Sequence, residues 1–221
     1  KNDGKAEVFG RTDDELMFND RSTLEYPDAR TQCISVIDGL TGEELTHTML
    51  PRDYIGDGPL SGHMGIAYVD GTNPSLIYEC QNRKDPPPKV HYNMFVLAYD
   101  YNGERLNLKW KWDNNSVDIA APIFHQMRIM DMDGDGKDEI CPGGFVINDD
   151  GSLLYSLADH GIVHGDRFHI TDMDPEREGL EGFGIQQQEG AHQSDEFAWY
   201  YYDAATGEII RTMGDPQDVG R

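Results

Sequence analysis

Histidine and aspartate side chains concentrate in two segments that could transfer protons or bind a metal ion. One segment contains His125, and the other spans residues 159–169 and contains His164 and Asp166. His164 and Asp166 alternate, so both point to the same side of an extended segment. Such a group can neutralise a carboxylate, move protons or hold a metal. An isolated histidine is more often a hydrogen-bonding partner of its neighbours, but the grouping favours a functional site.

An acidic loop follows His125 and has the residue types of a calcium site. Asp131, Asp133 and Asp135 alternate, the backbone carbonyl of Lys137 lies at the seventh position, and Glu139 lies at the ninth. Hard oxygen ligands in this number suit Ca²⁺. The following residues do not continue as a helix, which excludes an EF-hand. The alternative is a metal-free acidic turn, and a structural ion is favoured over a catalytic one.

Two further loops repeat this pattern less completely. Asp172, Asp174 and Glu181 could bind a second ion, although a proline and a longer spacing leave this open. The loop at the start of the chain retains Asp3 and Glu7, and we expect it to bind an ion poorly.

Short runs rich in β-branched and aromatic residues predict an all-β fold. Each run is followed by a turn that contains Asp or Asn and Gly, and the turn glycines 42, 103, 151 and 207 are 61, 48 and 56 residues apart. Four units at this spacing predict about four blades of a β-propeller. We therefore interpret residues 1–221 as one portion of a larger propeller, of seven or eight blades, with the remainder of the propeller as its partner. A β-sandwich with repeated hairpins is the alternative.

Composition limits the function classes. The chain has 221 residues and a net charge of −23, which argues against a nucleic-acid partner. Apolar runs are too short for a membrane span, and no secretory signal precedes the first strand. Three cysteines form neither a disulfide framework nor a zinc motif, which leaves one disulfide or three buried thiols.

At these motifs the sequence resembles the propeller-type rhamnogalacturonan lyases. The order and spacing of the family's motifs hold from about residue 120 to the last residue, and upstream stretches fit more loosely. The matching segments are His125, residues 131–140, His164-Gly165-Asp166, residues 172–181, Thr206-Gly207-Glu208 and residues 218–221. The resemblance implies an eight-bladed propeller with several structural calcium ions, and β-elimination at a uronic acid next to rhamnose.

The resemblance also implies site residues. His125, His164 and Asp166 would meet at a calcium near the cleft, together with Gln187, which stands where the family has a glutamate. The arginine that neutralises the uronate carboxylate would be Arg221. Departures occur at Phe124 and at Arg167-Phe168, where the family has asparagine and small apolar residues.

β-Elimination also needs a base and a proton donor. His125 or His164 is the candidate base if it is not a metal ligand, and Tyr201 is the candidate donor to O4. The run of three tyrosines could equally be a strand with alternate side chains in the core. Local cations must attract an acidic polysaccharide to an acidic protein, and the candidates for substrate binding are Arg128, Arg167 and His169.

Three functions stay open from the sequence. The first is a calcium-dependent rhamnogalacturonan lyase, the second an ulvan lyase that acts on a sulfated rhamnose–uronate polymer, and the third a non-catalytic calcium-binding propeller. The substrate class implies a secreted, periplasmic or cell-surface protein. Endo or exo cleavage, the division of roles between the histidines, and the oligomeric state are not determined by the sequence.

Overall fold

A computed structural model describes residues 4–13, 16–23, 30–84, 92–114, 123–162, 164–187 and 196–214. Strands dominate these residues, and the helical segments among them are the 3₁₀ turns Ile55–Asp57 and Ala158–His160. The strands form four antiparallel sheets. The all-β prediction is therefore confirmed.

Each sheet is built from strands that follow one another along the chain. The first sheet comprises β1 (Glu7–Asp13), β2 (Gln32–Asp38) and β3 (Glu44–Met49). The second comprises β4 (Ser61–Ala67), β5 (Ser75–Arg83), β6 (Tyr92–Tyr101) and β7 (Leu106–Asp113). The third comprises β8 (Ile123–Met130), β9 (Glu139–Gly143), β10 (Phe145–Ile147) and β11 (Leu153–Ser156). The fourth comprises β12 (Phe168–Thr171), β13 (Glu181–Ile185), β14 (Trp199–Asp203) and β15 (Ile209–Met213).

The strand and turn units predicted from the sequence are present as up-and-down sheets, and none of the four sheets closes on itself. Each of the four apolar runs lies in the strand that precedes a predicted turn, namely β2, β6, β10 and β14. The arrangement of the sheets as a propeller stays a prediction.

Successive sheets pack face to face through buried side chains that alternate along the strands. In β6, Met94, Val96 and Ala98 face the third sheet, and Phe95 and Leu97 face the first. A strand buried on both faces reads as a continuous apolar run, which is why this segment shows no polar alternation. A third apolar core lies between the third and fourth sheets and includes Tyr200 and Tyr202. The tyrosine run is thus a strand with alternate side chains in the core.

The predicted hairpin turns depend on aspartate and glycine. The amide of Gly207 donates to the carbonyl of Asp203 at 2.8 Å, and its φ of +76° favours glycine. The Asp203 carboxylate accepts the amide of Thr206 at 3.0 Å, so the aspartate closes the turn from within. The turn that begins at Asp38 is built in the same way.

The structure bears on two expectations from the sequence, the state of the cysteines and the absence of a membrane-spanning segment. The three cysteines are buried, and no disulfide joins any two of them. Within the described residues, no helix has the length and apolar composition that crossing a bilayer requires.

Candidate active site and metal centre

His125 on β8 and His164 and Asp166 in the segment that leads into β12 lie together, and these three residues are called the cleft cluster below. His125 Nε2 lies 3.5 Å from Asp166 Oδ1, and the ring centroids of His125 and His164 are 5.3 Å apart. One ligand atom from each of the three residues lies within 4.8 Å of the others. His164 is buried, whereas most of the His125 side chain and half of the Asp166 side chain are exposed.

An irregularity in β8 turns His125 toward the fourth sheet. Ile123 pairs with Gly143 and Arg128 pairs with Cys141, so four residues of β8 stand opposite a single residue of β9. Such a bulge bends its strand and re-aims side chains. Phe124 fills the space beneath the bulge and meets the His164 ring edge to face, with centroids 5.1 Å apart.

An open cleft of about 300 Å³ lies over the cleft cluster. It is lined by His125, Gln126, Asp166, Arg167 and Gln187. The amide of Gln187 donates to the carbonyl of His164 at 3.0 Å, which fixes the predicted fourth ligand beside the cluster. Four residues that the sequence placed at one site are therefore neighbours in the structure.

The donor set of the cleft cluster fits a divalent cation. Two imidazoles and one carboxylate converge within coordination range, and the Gln187 side chain could add an amide oxygen. Calcium usually takes six to eight oxygen ligands, so the two imidazoles are unusual for it and are common for transition metals. The ligand types of the cluster therefore indicate a divalent cation, but they do not identify that cation as calcium.

The arginines near the cleft have different roles. Arg167 is exposed and lines the cleft. The Arg128 guanidinium donates to Gln126 Oε1 at 2.7 Å and to the carbonyl of Phe168 at 3.1 Å, and it lies 5.2 Å from the Phe168 ring centroid. Arg128 therefore joins β8 to β12 and orients Gln126. No sequence pattern pointed to Gln126, because its place in the cleft depends on the bulge.

Other predicted residues lie apart from the cleft cluster. His169 is exposed on β12, and His160 is exposed in a 3₁₀ turn. Tyr201 is half-buried on β14 and pairs with Phe183, where desolvation and the carboxylates of Glu181 and Asp174 raise its pKa. This position is near the second acidic loop. Arg221 and Asp3 lie outside the described residues.

The acidic loop at residues 131–138 folds its carboxylates into a compact group. One carboxylate oxygen each from Asp131, Asp133 and Glu139 lies within 4.8 Å of the others. The amide of Gly134 donates to Asp131 at 2.7 Å, and the amide of Met132 donates to Glu139 at 2.7 Å. The loop backbone therefore shapes the group before any ion binds.

Glu139 shows that this group fits a cation. Its side chain is fully buried, and among the described residues Oε1 has no hydrogen-bond partner. Burial, with Asp133 and Asp135 nearby, raises the pKa of Glu139 to about 7. A bound cation would pair that oxygen and offset the repulsion. The Lys137 side chain pairs with Asp149 at 2.8 Å and with Asp135 at 3.3 Å, so what Lys137 can offer a cation is its backbone carbonyl.

The second acidic loop, residues 172–180, is neutralised differently. Glu181 accepts the amides of Met173 and Asp174, and the Arg177 guanidinium lies 3.7 Å from its other oxygen. Within the described residues, Asp172, Asp174 and Glu181 do not form a converging group of ligands. Arg177 thus stands beside Glu181 where a second ion was predicted, and no spacing pattern in the sequence indicated this pairing.

Comparisons with known proteins agree on one family. The family described as rhamnogalacturonan lyase family 11, C-terminal domain, matches residues 2–221. Rhamnogalacturonan exolyase YesX of Bacillus subtilis (strain 168) is 34% identical over 233 residues, which cover 99% of this chain and 35% of that protein. Rhamnogalacturonan endolyase YesW of the same organism is 33% identical over 232 residues, which cover 99% of this chain and 34% of that protein.

A solved structure supports the same grouping. The crystal structure of rhamnogalacturonan lyase YesW matches with a TM-score of 0.79 and 30% sequence identity, over 99% of this chain and 39% of that chain. The present chain spans about a third of the length of the curated relatives it matches.

Proposed function

The chain belongs to rhamnogalacturonan lyase family 11, and we propose that the protein containing it is a polysaccharide lyase that cuts rhamnogalacturonan by β-elimination. The observation that supports this proposal best is the convergence of His125, His164 and Asp166 under an open cleft. The curated relatives carry the names of rhamnogalacturonan lyases. No feature of the cleft lining favours ulvan over rhamnogalacturonan. Ulvan therefore enters only as a second polymer in the test.

The cleft cluster, with Gln187, would hold a divalent cation, which the family resemblance implies is Ca²⁺. When bound, such a cation supplies positive charge beside the uronate carboxylate, which makes the C5 proton more acidic. Asp166 contributes the negative charge that the cation needs, and the buried ring of His164 fixes the position of the site. The bulge in β8 and the packing of Phe124 on His164 hold both histidines in place.

Arg167 is placed to recognise the acidic polymer. Its exposed side chain lines the cleft beside Asp166, so a guanidinium is available to pair with a uronate carboxylate. The resemblance assigns the same task to Arg221. Arg128 serves the site indirectly because its donors are used between β8 and β12.

The proposed reaction needs a proton acceptor for the C5 hydrogen. A histidine that binds a cation uses one ring nitrogen as ligand, and its other nitrogen then carries hydrogen. If His125 and His164 are both ligands, neither can accept the C5 proton. The base must then come from another residue. Tyr201 lies beside Glu181 and is not among the residues that line the cleft.

Three wider features belong to the same proposal. The four sheets form part of a β-propeller that the rest of the protein completes. The acidic loop at residues 131–138 binds a structural calcium ion through Asp131, Asp133, Asp135, Glu139 and the carbonyl of Lys137. The protein acts outside the cytoplasm, at the cell surface, in the periplasm or after secretion, because its polymeric substrate is found there.

The test measures the ultraviolet absorbance of unsaturated uronate, with rhamnogalacturonan, ulvan and polygalacturonate offered separately. It uses the natural polypeptide that contains this chain, with calcium present. We expect absorbance to rise with rhamnogalacturonan, and the His164→Ala variant to lose at least about 100-fold of the rate.

The matched control is His160→Ala, because His160 is exposed in a 3₁₀ turn outside the cleft. Equal loss in both variants would argue against a special role for the cleft cluster. A rise with ulvan alone would replace the proposed substrate. No rise with any of the three polymers would favour a binding protein over a lyase.

A further inference from the structure

Gln126 lines the cleft, and the function described above gives it no task. It follows His125 on β8, and the lining that includes it also includes Asp166 and Arg167. The residue is half-buried. Among the described residues, the hydrogen-bond partner of its side chain is the Arg128 guanidinium, which donates to Oε1. Gln126 is therefore a polar residue of the cleft whose amide nitrogen is available to a ligand.

The Gln126 side chain faces the fourth sheet. Phe124 and Arg128, two residues before and after it on β8, both contact the Phe168 ring of β12. Side chains at alternate positions of a strand share one face. The Nη2 nitrogen of Arg128 donates both to Gln126 Oε1, at 2.7 Å, and to the carbonyl of Phe168, at 3.1 Å. The Gln126 amide therefore lies where β8 meets the start of β12, directly after Arg167.

Arg128 fixes the orientation of the Gln126 amide group. A guanidinium has hydrogen-bond donors and no acceptor, so the atom that Arg128 contacts must be the amide oxygen. The amide nitrogen, Nε2, forms the other branch of the same planar group and points away from Arg128. Because Gln126 lines the cleft, this arrangement presents N–H donors to a ligand there and keeps the acceptor turned away.

Positive charge around the amide favours an anionic ligand. The hydrogen bonds of Arg128 to described residues all go to uncharged oxygens, so no carboxylate among those residues neutralises the guanidinium. Its bond to Oε1 polarises the amide of Gln126, which makes the N–H groups stronger donors. Arg167 adds an exposed guanidinium to the lining, whereas the one acid there, Asp166, lies 3.5 Å from His125. These donors fit a carboxylate better than a neutral hydroxyl.

We propose that Gln126 binds the carboxylate of the uronate unit through its amide hydrogens, and that Arg128 is its positioning residue. This inference rests on the proposed function, which brings an acidic sugar to the cleft. Arg167 supplies positive charge, and Gln126 supplies donors of fixed direction. A neutral sugar of the same shape would leave the donors of Gln126 and Arg167 without an anionic partner, so the pair selects acidic sugars over neutral ones.

Gln126→Glu tests the donor role with little change of shape. One carboxylate oxygen can still pair with Arg128, and the other replaces the amide donors with a negative charge. The natural polypeptide, with calcium present, is titrated with galacturonate and with its neutral counterpart galactose by ligand-observed NMR. We expect the Kd of galacturonate to rise at least about 10-fold, because a hydrogen bond to a charged group is lost. Galactose binding should change little, and KM for rhamnogalacturonan should rise with the Kd of galacturonate.

The matched control is Asn107→Asp. It adds the same negative charge at an exposed position of β7 that does not line the cleft. Its affinity for galacturonate should stay within about twofold of the wild type, because charges on the surface beyond a Debye length of about 10 Å are screened. An equal loss of affinity in Asn107→Asp and Gln126→Glu would assign the effect to net charge and overturn the role of Gln126.

A double-mutant cycle separates the positioning role of Arg128 from a purely structural one. Arg128→Lys keeps the positive charge but loses the planar fork that contacts Gln126 and β12 together. We expect this change to weaken galacturonate binding several-fold in the wild type. In a Gln126→Ala background it should add little, because there is no amide left to orient. Damage to the sheet alone would weaken binding equally in both backgrounds.

The absorbance assay, run in parallel, keeps this inference apart from the proposed function. An active lyase whose KM and galacturonate affinity are unchanged in a folded Gln126→Glu variant overturns the inference alone. Equal effects of Arg128→Lys in the two backgrounds overturn its positioning role. A wild type that releases no unsaturated uronate, but loses galacturonate affinity in Gln126→Glu, contradicts the proposed function and supports the carboxylate site. A wild type that neither cleaves the polymer nor binds galacturonate overturns both.

Discussion

Asp166 supplies the negative charge of the cleft cluster, and its contribution can be isolated. Asp166→Asn keeps the shape of the side chain but removes the charge that attracts a cation to His125 and His164. We expect the variant to bind one cation fewer per chain at micromolar metal and, under the proposed function, to lose most of the lyase activity. Metal analysis after dialysis, with Asp159→Asn as the exposed control, measures the first effect. Retention of the full metal content in Asp166→Asn would contradict the assignment.

Glu79 predicts a pH dependence of stability. Glu79 lies on β5, opposite His63 on β4. Burial raises the pKa of the Glu79 carboxyl to about 8 in the folded protein, from an ordinary value of 4.5. The folded protein therefore keeps a proton that the unfolded chain releases between these values, and stability falls as pH rises through this window. The raised pKa of His63 acts in the same direction, since its contribution is lost as pH rises through the folded value.

The measurement compares the unfolding free energies of the wild type and Glu79→Gln from pH 5 to pH 9 by chemical denaturation. The wild type should lose stability relative to the variant as pH rises. Glu104→Gln, at an exposed position in a turn, should run parallel to the wild type. A constant difference between wild type and Glu79→Gln across this range would show that Glu79 does not retain its proton.

At the scale of the elements, the same kind of contact joins two of the hairpin turns to the sheet that precedes each of them. Tyr155 on β11 donates its hydroxyl to the carbonyl of Ala204 at 2.7 Å, and Trp110 on β7 donates to the carbonyl of Asp149 at 2.8 Å. In both places a turn glycine lies against the aromatic ring, Gly207 on Tyr155 and Gly151 on Trp110. The turn glycines therefore serve sheet packing as well as backbone conformation.

Gly207→Ala tests this double role. A Cβ at Gly207 would lie 2.5 Å from the Tyr155 ring, and φ there is +76°. We expect a loss of about 2–4 kcal/mol, since the strain of a positive φ adds to overpacking. Gly58→Ala is the matched control because φ is +120° and nothing lies within 4 Å of the added Cβ. Equal destabilisation in the two variants, measured by thermal unfolding, would mean that the contact with Tyr155 contributes nothing.

The strands and turns could be predicted because they depend on neighbouring residues. Contacts between residues that are distant in sequence could not be predicted in this way. The run from Met94 to Tyr99 and the turn at Asp203 depend on neighbours in sequence, so the strands and hairpins could be predicted. The grouping of His125 with His164 was expected from their residue types, and the family resemblance then implied that they meet at one site. The opposition of His63 and Glu79, and the place of Arg177 beside Glu181, depend on strand register and loop path, which a single sequence does not specify.

At the scale of the whole molecule, 41 acidic residues against 18 basic ones give a surplus of negative charge that bound cations would offset. The buried Glu139 and its neighbours in the acidic loop are the place where this matters most. Calcium that binds the folded state at 100 times its dissociation constant stabilises it by about 2.7 kcal/mol per site. In a protein of this size, that corresponds to about 5–10 °C in the unfolding temperature.

We therefore expect chelation to lower the unfolding temperature by at least this amount, and calcium to restore it. Magnesium at the same concentration should restore little, because it prefers a smaller, octahedral shell and keeps its waters. Glu139→Gln should lose the part of the calcium response that the acidic loop contributes, while Glu43→Gln, at an exposed turn position, should keep all of it. Scanning calorimetry of the natural polypeptide with and without chelator measures both effects. An unfolding temperature independent of calcium would show that the carboxylates of the acidic loop are held by the protein alone, with Glu139 protonated near neutral pH.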